Sequence, residues 1–166
     1  LSRLDAGRLR LSLEPVELTR LIEAALDDLG VHPDADTFAV ETDIPGSLCV
    51  GGDEHYLGII LQNLLENARK YNRPGGRIRI AATVEGQDVV VRVGNTGRGI
   101  PPASQAHIFE RFHRGGVGEN VPGYGLGLNL ARELARLHRG ELRLLGSGDD
   151  WTEFECRLPA VPARSP

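Results

Sequence analysis

The chain has 166 residues, a net charge of −4, and 40% apolar and 25% charged residues, which suits one soluble domain with a full core. That charge gives no support to nucleic-acid binding, no apolar run approaches the roughly 20 residues of a membrane span, and no signal peptide is visible. Cys49 and Cys156 are isolated and lack metal-ligand spacing, so they read as reduced, cytosolic thiols with no disulfide.

Leu1 to Arg8 looks like the last turns of a helix, and with no initial methionine the chain is expected to be a piece of something longer. Leu9 to Leu13 alternates leucine with polar residues, the period of a short strand. Glu14-Pro15 then opens a helix, proline first, whose stripe of Val16, Leu18, Leu21, Ile22, Ala25, Leu26 and Leu29 stops at Gly30. Thr37 to Ile44 reads as a strand, and Leu48-Cys49-Val50 as a short edge strand. Asp53 is placed to cap a helix running to about Tyr71. Arg77 to Val84 and Asp88 to Val93 form a hairpin through Glu85-Gly86-Gln87. Ser104 to Phe112 has the composition of a short helix capped by Ser104. His113 to Tyr124 is glycine-rich with almost no apolar content and reads as a mobile loop. Leu126 to Leu137 is a strong amphipathic helix stopped at His138-Arg139-Gly140, and Glu141 to Leu145 with Thr152 to Leu158 make a last hairpin. Residues 159–166 read as a disordered tail. The tally gives an α+β fold: a two-layer α/β sandwich with a mixed, mostly antiparallel sheet of about five strands, covered on one face by three helices.

The helix ending at Tyr71 carries the chemistry. Lys70 is the only lysine in a chain whose other cationic side chains are all arginine. At about 100° per residue, Asn63, Asn67 and Lys70 share a stripe about 60° wide beside the apolar face of Leu57, Ile60, Leu61, Leu64, Ala68 and Tyr71. Two amides and an ammonium at the border of core and solvent suit a hard cation and a phosphate. Glu66 falls on the more exposed side. The nearby Arg69, Arg73, Arg77 and Arg79 read as a solvated edge near a phosphate site.

Two glycine segments follow. Gly94-Asn95-Thr96-Gly97-Arg98-Gly99-Ile100-Pro101 leaves a strand, with glycines that let backbone approach a flat ligand. Gly123-Tyr124-Gly125-Leu126-Gly127-Leu128 leads into a helix and presents N–H groups and a helix dipole to an anion. It lacks the spacing of a Walker loop and does not follow a strand, as a Rossmann fingerprint would.

In this order, LQNLLENARKY, GNTGRGIP, IFERFHRG and GYGLGL resemble the N-box, first glycine box, F-box and second glycine box of the ATP-binding catalytic domain of sensor histidine kinases. That domain belongs to the wider group that includes gyrase, the chaperone ATPases and the mismatch-repair ATPases. The resemblance spans residues 9–158, with residues 1–8 as the remnant of a preceding dimerisation helix and residues 113–124 as an ATP lid. It implies ATP and Mg²⁺ as ligands. Asn67 would be the Mg²⁺ ligand and Asn63 its support, Lys70 would contact phosphate, and Tyr71 would pack near base or ribose. Asn95 would recognise the adenine amino group, and Gly97, Gly99 and Ile100 would line the base. Arg111 and Arg114 would contact phosphate, Phe109 and Phe112 would pack the lid base, Tyr124 would bind ATP from the end of the lid, and Gly125, Leu126, Gly127 and Leu128 would receive phosphates through backbone N–H groups.

The chain departs from the pattern at Asn95, where the family has aspartate; a neutral amide oxygen accepts more weakly than a carboxylate, so weaker ATP binding is expected. The hydrolysing relatives place a glutamate base one turn before the metal asparagine, and here that position is Asn63, which favours transfer over hydrolysis. His32, His55, His107, His113 and His138 lack the setting of a phosphoacceptor, so no catalytic residue is identified in the chain and the acceptor is expected outside it. The resemblance thus implies a protein histidine kinase module, inactive alone, that donates the γ-phosphoryl of ATP to a histidine on its dimerisation domain for relay to a response regulator. The fragment would be monomeric, the full protein homodimeric and cytoplasmic on this side of any membrane anchor. Two alternatives stand: a degenerate nucleotide-binding module that regulates through interaction, and a stand-alone serine kinase of the anti-sigma type.

Overall fold

The structure, a computed structural model, describes residues 11–110 and 126–162. Helix α1 is Leu18–Gly30, and its buried residues Leu18, Ile22, Ala25 and Leu29 follow the three-to-four spacing of one helical stripe. The segment before it corrects the sequence expectation. Glu14–Glu17 is strand β1, not the first helical turn, and Leu11 to Leu13 has no regular structure. Strand β1 pairs antiparallel with β3, Cys49–Gly52, placing Pro15 opposite Gly51. An edge strand tolerates the missing proline N–H, and this pairing buries Val16 while Leu13 stays 57% exposed. The expected edge strand near Cys49 is therefore half of a two-stranded sheet.

Helix α2 is Glu54–Lys70. Its cap is Asp53, whose Oδ1 accepts the His55 N–H at 3.0 Å. Buried His138 braces this end: its Nε2 accepts the Asp53 N–H at 3.1 Å, and its Nδ1 lies 2.7 Å from the Leu134 carbonyl. One ring nitrogen accepts and the other donates, so the pair of contacts selects one neutral tautomer.

The main sheet has the order β2-β4-β5-β7-β6. Strand β2 (Phe38–Asp43) runs parallel to β4 (Gly76–Glu85). The remaining neighbours, β4 with β5 (Asp88–Asn95), β5 with β7 (Trp151–Pro159), and β7 with β6 (Glu141–Gly148), are antiparallel. The β4–β5 turn uses Gly86 at φ 63, a left-handed position that glycine adopts without strain. Ile78, Ile80, Val91, Val93, Phe154 and Leu142 alternate onto one face and join the helices in a single core. Arg79, Arg92, Glu155 and Arg157 alternate onto the other. At the β2 edge the alternation brings little burial, and Val40 stays 43% exposed.

Two further elements complete the helical layer. Helix α3 is Pro102–Gln105, shorter and earlier than expected from Ser104. Pro102 at the first turn starts it, which puts Ser104 inside as a buried residue instead of at the cap. Helix α4, Leu126–Leu137, has the expected bounds and ends as Arg139 turns left-handed at φ 62. The described part of the expected tail is ordered by backbone pairing: Ala160 N–H reaches the Gln87 carbonyl at 2.8 Å, and Val161 N–H reaches Cys49 at 3.1 Å. The expected helix remnant at 1–8 and the expected lid at 113–124 lie outside the described residues.

Candidate functional site

The C-terminal half of α2, the glycine loop after β5 and the start of α4 converge. On α2, the apolar stripe faces the core and carries Asn67 in with it, leaving that amide 6% exposed. Its Nδ2 is buried with no hydrogen-bond partner. An amide is symmetric in shape under a flip, so the same position takes an oxygen as readily as a nitrogen. An oxygen there would meet a hard cation's need for a neutral oxygen ligand, so the residue fits Mg²⁺. One turn earlier, Asn63 abuts α4: a Cβ at Gly127 would stand 3.4 Å from its Oδ1. Leu128 is fully buried beneath. Asn129, which the sequence reading did not single out, donates from Nδ2 to the Phe109 carbonyl at 2.8 Å and keeps a buried Oδ1 without a partner.

Lys70 ends α2 and is exposed. The arginines around it are engaged by carboxylates: Arg69 with Asp34 at 2.8 Å and with Glu66, Arg73 with Asp150 at 2.6 Å, and Arg79 with Asp43 at 3.2 Å. No carboxylate lies within ion-pair distance of Lys70 among the described residues, so its charge remains open to an anion. The Arg69 hydrogen bond holds the Glu66 carboxyl below its ordinary range despite partial burial, which makes Glu66 a poor proton acceptor.

The glycine loop begins at Asn95, the last residue of β5 and only 5% exposed. Its Nδ2 donates to the Thr96 carbonyl at 2.7 Å, which turns Oδ1 into the group left for a ligand. Thr96 then ties the loop to the α2–β4 connection: its Oγ1 accepts Arg77 N–H at 2.7 Å and lies 2.5 Å from Asn72 Oδ1. Gly97 at φ 123 lies so close to the end of α2 that a Cβ would stand 2.1 Å from the Tyr71 carbonyl. Its N–H donates to Asp150 at 3.0 Å, and Ile100 N–H donates to Ser147 Oγ at 2.7 Å. The same hairpin supplies Trp151, the chain's one tryptophan, which lies across Gly94 with the Arg77 guanidinium 4.9 Å from its ring centre. Of these loop supports, Asn72, Ser147, Asp150 and Trp151 escaped the sequence reading, and Arg73 was read only as part of a solvated edge. Their partners lie far away in the chain, and no local spacing marks them.

The structure therefore brings together Asn63, Gly127 and Leu128 on one side and Tyr71, Asn95, Gly97, Gly99 and Ile100 on the other, with Asn67 and Lys70 on the helix between. Leu126 opens α4. Arg111, Arg114, Phe112, Tyr124 and Gly125 lie outside the described residues. Both cysteines are free, and burial pushes the Cys156 thiol up to about 12. No group of three or more metal-ligating side chains occurs among the described residues, and no helix there is long and apolar enough to cross a membrane.

Comparison with known proteins shows the family and the fold. The chain is 36% identical over 163 residues to the sensor protein DivL of Caulobacter vibrioides, covering 96% of this chain and 20% of that protein. It is 31% identical to the sensor-like histidine kinase SenX3 of Mycobacterium tuberculosis, covering 97% of this chain and 40% of that one. The chain thus spans well under half the length of these relatives. Among solved structures, the mycobacterial sensor histidine kinase MprB superposes with a TM-score of 0.77 at 29% identity, over 90% of this chain and 99% of that one. Full-length ShkA in complex with AMPPNP gives a TM-score of 0.82 at 27% identity, over 99% of this chain and 34% of that one. Residues 52–162, more than half the length, match the profile of the histidine kinase-, DNA gyrase B- and HSP90-like ATPases, and the chain belongs to that family as a relative of the ATP-binding catalytic domain of sensor histidine kinases.

Proposed function

We propose that this chain binds MgATP and, within its whole protein, donates the γ-phosphoryl group to a histidine on a neighbouring dimerisation domain, for relay to a response regulator. The observation that carries the reading is the orphaned, buried amide of Asn67 between Asn63 and Lys70, at the meeting of α2, the glycine loop and α4. When bound, Mg²⁺ would supply charge neutralisation at the phosphates, with Asn67 as its protein ligand and Asn63 in support. Lys70 brings a charge that no carboxylate among the described residues engages, and the first turn of α4 offers N–H groups to anionic oxygen. Asn95 Oδ1 accepts the adenine amino proton, and Tyr71, Gly97, Gly99 and Ile100 give the base a flat, water-excluding wall.

Transfer is favoured over hydrolysis by what α2 offers as a base. Asn63 is neutral and Glu66 is held charged by Arg69, so neither takes a proton from water. Catalysis by such a site rests on positioning and electrostatics.

The test is calorimetric titration of MgATP into the wild-type chain and into Asn67→Ala. Binding by the wild type that the variant loses supports the reading; equal affinity in both, or heat from neither, overturns it. A second reading, a regulatory module that binds nucleotide without transferring phosphate, draws on Asn95, whose neutral oxygen grips adenine less firmly than a carboxylate. Label from γ-³²P ATP appearing on a separately supplied dimerisation domain would exclude it.

A further inference from the structure

We propose that Asp150 is a positioning residue of the nucleotide site: it fastens the glycine loop after β5 to the C-terminal end of α2, and so sets how tightly the chain holds MgATP. The inference rests on the functional reading above and assigns to that site a residue from the β6–β7 turn.

One carboxylate joins two segments of the site. Asp150 Oδ1 accepts Arg73 Nε at 2.6 Å and Gly97 N–H at 3.0 Å, while Oδ2 accepts Arg73 Nη2 at 2.7 Å. Arg73 stands three residues after Lys70, and Gly97 two after Asn95. Asp150 therefore couples the phosphate end of the site to its base end, through a fork-shaped pair whose geometry is specific to arginine and carboxylate.

The loop needs such a fastening. Gly97 packs on α2 without a side chain, since a Cβ there would meet the Tyr71 carbonyl at 2.1 Å, and at Gly99 one would meet the Gly148 carbonyl at 2.4 Å. At Gly97 loop and helix end meet backbone to backbone, and the loop's one apolar grip, the buried Ile100, comes three residues later. Asp150 itself sits at φ 61, a left-handed position that aspartate tolerates better than most residues. The Arg73 hydrogen bond, with that from Gly97 N–H, holds its carboxyl at about 2, so the fastening is charged at all ordinary pH values.

Its contribution to global stability is small, because both partners are about half exposed, with side-chain exposures of 48% and 49%. Thr96 and Ile100 keep their own anchors when Asp150 is changed. Loss of Asp150 therefore loosens the loop without unfolding the sheet, and the cost falls on ligand binding, where preorganisation sets affinity.

The experiment titrates MgATP into the wild-type chain, Asp150→Ala, Asp150→Asn, Arg73→Gln and the Arg73→Gln/Asp150→Asn double variant, with thermal melting of each. Asp150→Ala is expected to weaken binding about tenfold, as it loses both the ion pair and the Gly97 hydrogen bond. Asp150→Asn keeps an acceptor for Gly97 and is expected to lose about threefold, as is Arg73→Gln, with no further loss in the double variant. The advantage of the wild type over Asp150→Asn should shrink as salt rises. That graded order, with melting temperatures within a few degrees, supports the proposal. Wild-type affinity in Asp150→Ala overturns it, and so does weakening confined to variants that have begun to unfold at the titration temperature. Failure of the wild type to bind MgATP overturns the functional reading itself and the inference with it.

Discussion

Two buried polar groups lie on opposite sides of the same sheet, and they are treated in opposite ways. On the open face, Glu155 is 1% exposed and saturated: Arg143 and Arg157 each donate to Oε1 at 3.0 Å, and Arg92 donates to Oε2 at 3.0 Å. On the helical side, Asn67 is buried almost as deeply and its Nδ2 has no partner. Burial of a charge is tolerated when every lone pair is used, and burial of an amide with one end unused leaves a cost in the free protein. The first group is architecture. The second is a socket, and a ligand that fills it recovers the cost. Burial alone does not separate the two; the count of satisfied atoms does.

The largest test of this contrast is Glu155→Ala, expected to destabilise by about 3 kcal/mol, since three guanidinium groups lose their common acceptor while keeping some contact with water. Chemical denaturation measures it, and a loss below about 1 kcal/mol, the range of surface pairs, would make the cluster ornamental. Its pH dependence has a definite sign. Burial raises the Glu155 carboxyl, but hydrogen bonds from Arg157, Arg143 and Arg92 outweigh that and hold it below its ordinary value. The stabilisation is therefore complete above the ordinary carboxylate range near pH 4.5 and falls away as pH drops toward the lowered folded value. The gap in melting temperature between wild type and Glu155→Gln should be flat from about pH 8 to pH 5 and close below that.

Asn67→Ala should behave in the opposite manner. MgATP affinity is expected to fall by at least about 30-fold, roughly 2 kcal/mol, while stability holds or rises slightly as the orphaned amide is removed. A stability loss comparable to that of Glu155→Ala would place Asn67 with the architecture. Next in size are the Asp150 and Arg73 variants, whose graded losses report on the loop between the two sides. The smallest effect expected is a gain: Asn95→Asp should tighten MgATP about fivefold, roughly 1 kcal/mol, by giving the adenine amino group a charged acceptor. Unchanged or weaker affinity in that titration would place Asn95 outside the base contact.

The sequence carried those features whose cause is local. The helix from Glu54 to Lys70, its Asp53 cap, both hairpins and the bounds of α4 follow from period, capping and turn chemistry within short windows. Errors came where a distant partner decided, or where one local signal outranked another. Glu14-Pro15 has the local look of a helix start, but backbone pairing with Cys49 to Gly52 takes it as a strand. Ser104 looks like a cap until Pro101 and Pro102 start the helix before it. At the site, Asn63, Asn67 and Lys70 were legible because one helical face displays all three, and Asn95 because it stands in a glycine turn at a strand's end. Asp150 and Ser147 were not, because each accepts a backbone N–H tens of residues away, and Asn72 was not, because it meets the loop through the distant side chain of Thr96.

Trp151 has one consequence beyond packing. It is the chain's only indole, it lies over the residue before Asn95, and it follows Asp150 directly. The protein therefore carries an optical probe at the root of its glycine loop, with an arginine stacked on the ring as a ready perturbant of its emission. The state of that loop is written in the light the chain itself emits, without any label.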